Sequence, residues 1–168
     1  MNQTEFWNSV QPFKDKLYRI AKRLLISTDE AEDATQEVLM RLWLKKAKFS
    51  EIKSLEGFAV TITKNYCLDQ LKSKRAQNSP LDDKISKLQV VSEDKSIETN
   101  ETLVLVHKII NQLPEQQRLI VQLRDIEGFD YEEIAHQLNM TETTVRVALS
   151  RARKKIREQI IANDEYRK

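Results

Sequence analysis

Asp130–Arg157 reads DYEEIAHQLNMTETTVRVALSRARKKIR, a stretch whose local chemistry predicts two helices around a tight turn. Asp130 and Glu133 have the spacing of a capping box, in which the first carboxylate caps the helix and the second reaches back. Tyr131, Ile134, Ala135 and Leu138 then share one apolar face. Asn139 tolerates the left-handed backbone that ends such a helix, and Thr141 is a good N-cap for the next one. Phased at about 100° per residue, Val145, Leu149, Ala152, Ile156 and Ile160 form the core side of the second helix. Val147, Ser150, Arg151 and Lys154 lie opposite, flanked by Arg146 and Arg157.

A capped helix, a short turn and a basic second helix make the helix-turn-helix arrangement, whose second helix enters the DNA major groove. Arginine pairs bidentately with guanine, each good pair being worth roughly 1–3 kcal/mol of discrimination, and Val147 is suited to a thymine methyl. Lys154, Lys155 and Arg157 suit phosphates, which gives salt-sensitive affinity without sequence information. A basic helix end can instead merely complement the macrodipole in solvent; the capped helix and turn before this one weigh against that.

The rest of the chain is also helix-friendly. With 2 Gly and 3 Pro in 168 residues, it lacks the turn residues that a hairpin-rich β fold needs. The expected fold class is therefore all-α: two small helical domains joined by a flexible linker. Apolar positions Phe6, Val10, Phe13, Leu17, Ala21 and Leu24 recur at helical spacing, with Pro12 starting or kinking that helix. A second helix opens near Asp29 with an acidic first turn, as the dipole favours, and runs to about Lys46. A third spans about Leu55 to Arg75. Residues 1–77 form the first predicted domain. Residues 78–101, polar and acidic, read as the linker, although Leu81, Ile85, Leu88 and Val90 offer docking points. Residues 102–168 form the second domain, with helices near 102–112, 114–127, 131–139 and 142–161; Pro114 suits a first helical position and Gly128 a position just past a helix end.

The formal net charge of +2 conceals two poles. Residues 145–157 hold six basic and no acidic side chains, and residues 29–37 hold five acidic and no basic ones, which implies two different partners. A single cysteine, Cys67, excludes an internal disulfide. No apolar run reaches membrane-spanning length, and the N-terminus lacks a signal pattern. A reducing, cytoplasmic setting without membrane insertion is expected.

In the 29–46 helix, Ala31, Ala34, Val38 and Leu42 form the core side, while Asp33, Gln36, Glu37, Met40 and Leu44 collect on the other. Apolar groups intermixed with carboxylates suit a protein docking surface, and pattern alone does not separate that from a solvated acidic helix. In the third helix Phe58, Ile62, Asn65, Asp69 and Lys72 share a face, with Val60, Cys67 and Leu71 opposite. Phe49, Phe58 and Tyr66 beside Lys64, Lys72, Lys74 and Arg75 offer the aromatic–cation mixture that unstacked bases require. By pattern alone the plainer reading, with Phe58 and Tyr66 in the core and Asp69 paired to Lys72, is favoured. His107 and His136 are isolated, Cys67 has no arranged base, and metal-ligand spacing is absent. The expectation is no catalysis, no metal and no cofactor.

Taken together, the motifs resemble the sigma-70 family of RNA polymerase sigma factors. Asp33-Ala-Thr-Gln-Glu-Val-Leu-Met-Arg-Leu-Trp43 resembles the polymerase-binding helix of region 2. Phe58-Ala-Val-Thr-Ile-Thr-Lys-Asn65, with Cys-Leu-Asp69 and Lys-Ser-Lys-Arg75, resembles the promoter-melting and −10-reading segment. Leu113-Pro-Glu-Gln-Gln-Arg118, Tyr131-Glu-Glu-Ile-Ala135 and Thr144-Val-Arg-Val-Ala-Leu-Ser-Arg-Ala-Arg153 resemble region 4, which reads the −35 element. The order and the intervening linker, without regions 1.1 and 3, are those of the extracytoplasmic-function group.

That resemblance implies a promoter-specificity subunit. Asp33, Gln36, Glu37, Met40 and Arg41 would meet the clamp helices of the polymerase largest subunit, with the flap as a further core contact. Phe49, Phe58, Asn65, Asp69, Lys72 and Arg75 would serve the −10 element, Asn65 lining a pocket for a flipped base. Thr143, Arg146, Val147, Ser150, Arg151 and Lys154 would meet the −35 duplex. The linker would thread toward the active-site and RNA-exit channels. An anti-sigma factor is an implied partner, holding the protein near the membrane when bound; the free factor would sit on the nucleoid. Three positions depart from the family pattern. Phe58 stands where many members have Trp, Asn139 replaces a frequent turn glycine, and Val147 with Ala148 occupy places where polar or basic residues are common. The last points to an unusual −35 preference. Two other functions fit parts of the sequence: a free-standing helix-turn-helix regulator, which predicts tight operator binding without polymerase, and a metal-dependent nuclease, which needs a ligand cluster.

Overall fold

A computed structural model describes residues 1–77 and 101–167, with side chains through Asp164. The predicted linker, with Leu81, Ile85, Leu88 and Val90, lies outside the described residues but for Glu101. Among the described residues the secondary structure is helical throughout, with no strand. The chain divides into two compact units, the first built on residues 1–76 and the second on the helices from Glu101 onward.

The first unit contains α1 (Gln3–Val10), α2 (Lys14–Leu25), α3 (Thr28–Leu44) and α4 (Leu55–Gln77). Asn2 and Glu5 close a capping box on α1. Pro12 does not merely kink a continuous helix: Gln11–Phe13 form a 3₁₀ turn, and α2 starts afresh, since proline lacks the N–H that an unbroken ladder needs. α2 ends on Ile26 in the left-handed conformation, φ 63°. Ser27 caps α3, its Oγ accepting from Glu30 N at 3.3 Å, so the helix opens at Thr28, one residue before Asp29. It stops at Leu44, and residues Lys46–Glu51 form a second 3₁₀ turn.

Helices α2 and α3 pack side by side. Leu17, Ile20, Ala21 and Leu24 meet a core completed by Ala31, Ala34, Val38 and Leu42, all fully buried. From α4, Ala59, Val60, Thr63 and Cys67 are buried. Thr35 and Thr63 enter this core because their hydroxyls donate to the carbonyls four residues back, at 2.7 and 2.8 Å, which avoids the penalty for an unmade bond. Lys16–Glu56, at 2.5 Å, and Lys74–Glu30 tie α4 to α2 and α3. Burial pushes the Cys67 thiol up to about 12.

The second unit contains α5 (Glu101–Asn111), α6 (Glu115–Val121), α7 (Tyr131–Leu138) and α8 (Glu142–Arg167). α6 and α5 both pack on α8, around Ile120, Leu123, Ile134, Val145, Leu149 and Ala152. Pro114 sits one residue before its expected place, as the N-cap of α6. The anticipated continuous 114–127 helix changes type: Gln122–Ile126 form a π turn closed by Glu127 N donating to Gln122 O at 2.9 Å. The buried Gln122 amide donates to the Glu127 carboxylate at 2.7 Å, bracing that wider turn. α8 continues about six residues beyond its expected end.

Candidate nucleic-acid and protein interfaces

In the second unit, the capping box on α7 forms as its spacing requires. Glu133 N donates to Asp130 Oδ1 at 2.8 Å, and Asp130 N to Glu133 Oε1 at 3.5 Å. Gly128 has φ 80° and Asn139 φ 54°, so both turn residues take the left-handed backbone; asparagine manages this where glycine is frequent. Thr141 caps α8, accepting from Thr144 N at 3.1 Å. On α8, Val145, Leu149 and Ala152 are buried, with Ile156 and Ile160 half-buried. Thr143, Arg146, Val147, Ser150, Arg151, Lys154 and Arg157 are exposed. Ala148 is buried, so of the two unusual positions only Val147 faces outward.

Three arginines gather at the ring of Tyr131. Arg124 lies 4.5 Å and Arg146 3.9 Å from its centroid. Arg153 donates to Asp125 through Nε at 3.2 Å and Nη2 at 2.5 Å and bonds the Tyr131 hydroxyl; the bond to Asp125 holds its guanidinium even more firmly protonated than usual. Sequence periodicity placed Tyr131 on the apolar face with Ile134. It is half-buried, and its ring is a platform for cations. No local signal in the sequence announces this, because the arginines arrive from two separate segments.

In the first unit, α3 turns Asp33, Gln36, Met40, Arg41 and Leu44 to solvent, with Met40 60% and Leu44 76% exposed. Arg41 Nε donates to Glu37 Oε1 at 3.1 Å, and its guanidinium lies 5.0 Å from the Tyr66 ring centroid. Burial first, then the Glu37 charge, raise the Tyr66 phenol. On α4, Asn65, Asp69, Lys72 and Arg75 are exposed and Phe58 is half-buried, with Lys45 Nζ 5.7 Å from its ring. The Asp69 charge acts on Lys64, whose ammonium burial nonetheless depresses. Phe49 is half-buried and stacks on Phe6 at 6.1 Å between centroids. Phe6 also meets Trp43 edge-on at 5.2 Å, forming an aromatic cluster that the helical periodicities did not join.

No helix among the described residues is long and apolar enough to cross a membrane. Residues 10–77 match the family described as sigma-70 region 2, and residues 103–156 match sigma-70, region 4. The chain is 25% identical to the ECF RNA polymerase sigma factor SigW of Bacillus subtilis, over 95% of its own length and 90% of the relative's. It is 30% identical to the ECF RNA polymerase sigma factor SigE of Mycolicibacterium smegmatis, over 90% of its length and 60% of the relative's. Its fold is similar to the sigma factor RpoE of Bartonella quintana, solved in complex with the anti-sigma factor NepR. The TM-score there is 0.73 at 25% identity, covering 93% of this chain and 96% of the other.

Proposed function

The chain belongs to the extracytoplasmic-function group of sigma-70 RNA polymerase sigma factors, and from that membership we propose which of its surfaces carry out each part of the work. Sigma factors are transcription initiation factors rather than enzymes. The outer face of α3, with Asp33, Gln36, Glu37, Met40 and Arg41, docks on the core polymerase: Met40 supplies exposed apolar area, and the charged groups fix register. The exposed side of α4, with Asn65, Asp69, Lys72 and Arg75, and the half-buried Phe58, receives melted −10 bases. Phe49, whose stack on Phe6 anchors the 46–51 turn, serves the same element. Thr143, Arg146, Val147, Ser150, Arg151 and Lys154 meet the −35 duplex. The domain boundaries follow as region 2 in residues 1–77, the linker in 78–101 and region 4 in 102–168.

The observation that carries this reading is the outward stripe of α8. Behind a capped helix and a left-handed turn, four cations, two hydroxyls and one exposed valine line the same side, while the opposite side is fixed in the core. Like the Bartonella quintana relative, the chain is assigned an anti-sigma partner. Its working place is then the cytoplasmic nucleoid.

Run-off transcription with purified core polymerase and a promoter library tests the whole. The expected result is selective initiation set by paired −10 and −35 boxes. Arg151→Ala is expected to change the −35 preference; an unaltered preference would remove the groove assignment.

A further inference from the structure

Tyr131 is the first residue of α7, and Asp130 caps that helix immediately before it. Around its ring stand Arg124 from the π turn and Arg146 and Arg153 from α8. Three cations converge there, and the Asp125 carboxylate pairs with Arg153. Mutual repulsion opposes such a gathering, and the electron-rich ring face offsets part of it. Two of the three are already committed: Arg124 Nη1 donates to Phe129 O at 3.0 Å, and Arg153 grips Asp125 through two nitrogens. Arg146 is exposed and has the shortest ring distance, 3.9 Å.

A guanidinium keeps all of its donors in one plane. A ring that covers one face therefore restrains the side chain without consuming the in-plane fork that guanine or a phosphate requires. Free, an exposed arginine must give up its rotamer freedom when it binds; stacked, it has lost much of it beforehand. A π turn is often found at functional sites, and here it delivers Arg124, which braces the ring from its own segment.

We propose that Tyr131 is a positioning residue for promoter selection, its ring holding the Arg146 guanidinium in the orientation that reads the −35 duplex. This rests on the assignment of Arg146 to that duplex.

The test uses the full chain assembled with core polymerase, selecting from promoters randomised over the −35 element. Arg146→Ala is expected to flatten discrimination at one or two base pairs by about tenfold, within the range of a lost arginine–guanine pair. Tyr131→Leu is expected to flatten the same positions by about fivefold to tenfold, and to add nothing in combination with Arg146→Ala. Tyr131→Phe, which keeps the ring and loses the hydroxyl, retains the wild-type preference. Arg146→Lys, an exposed change that keeps the charge but not the planar stack, loses discrimination while the salt dependence stays unchanged. Additive effects of Tyr131→Leu and Arg146→Ala, or a Tyr131→Phe as damaging as Tyr131→Leu, would overturn the positioning role alone. No effect of Arg146→Ala at any position would instead remove the underlying assignment of Arg146.

Discussion

The Arg41 guanidinium lies 5.0 Å from the centre of the Tyr66 ring while its Nε holds Glu37 at 3.1 Å. One side chain thereby joins the outer face of α3 to α4. Exposed i,i+4 pairs of this kind contribute about 0.3–0.5 kcal/mol to stability. Their removal should leave the unfolding midpoint nearly unchanged. In the Glu37→Ala, Arg41→Ala double variant, affinity for core polymerase is expected to fall at least tenfold, measured by competition against the wild-type chain. Equal affinity would remove the α3 face as the docking surface.

The core and the outward faces of α3 and α8 were legible because a 3.6-residue period assigns each position a direction before any tertiary contact is known. Val38 and Leu42 point inward and Met40 outward for that reason alone. The caps at Asp130 and Thr141 were legible because their partners lie three residues away. What escaped depends on distant residues or on backbone that violates preference. The Tyr131 cluster needs Arg124 and Arg146 from different segments, and the Phe6–Phe49 stack joins residues far apart in sequence. Ile26 at φ 63° is opaque to pattern, since a β-branched residue is a poor candidate for left-handed backbone. The π turn adds a residue to a helical pattern that reads as continuous. The individual roles on α3 and α4 came from family resemblance rather than periodicity, whereas the groove-facing side of α8 followed from its phase behind a capped helix and turn.

The Cys67 thiol gives a pH signature. Its folded value, about 12, lies above the ordinary 9.0 because burial disfavours the thiolate. Below pH 9 both folded and unfolded chains keep the proton, and the site contributes no slope. Between pH 9 and about 12 the unfolded chain releases it first, so stability falls as pH rises, by up to about 1.4 kcal/mol per pH unit from this group. Urea unfolding of wild type and Cys67→Ala across pH 8–10.5 should show a steeper loss above pH 9 in the wild type. Parallel profiles would contradict the burial effect. A thiol reagent at pH 8 should label the native chain only as it opens.

Gly128 at φ 80° has open space where a Cβ would stand. Gly128→Ala therefore meets no clash, and its cost is the backbone term for a left-handed L-residue, roughly 1–2 kcal/mol. The expected result is a lower denaturation midpoint for the second unit, with little change in the first. An unchanged midpoint would mean that the turn relaxes to negative φ.

Lys154 and Arg151 both face outward on α8, but their proposed partners demand different signatures. A phosphate contact releases counterions and carries no base information, so Lys154→Ala should reduce the slope of log affinity against log salt by about 0.9. Its binding should weaken evenly across −35 sequences. A base contact contributes discrimination at one or two positions, so Arg151→Ala should relax selectivity there by roughly 1–3 kcal/mol and alter the salt slope less. Titrations of polymerase holding each variant, at several salt concentrations and on matched and mismatched promoters, separate the two. Should Lys154→Ala change base preference while Arg151→Ala changes only the salt slope, the assignments along this helix are reversed. The groove-facing register would then be rotated toward its C-terminal end.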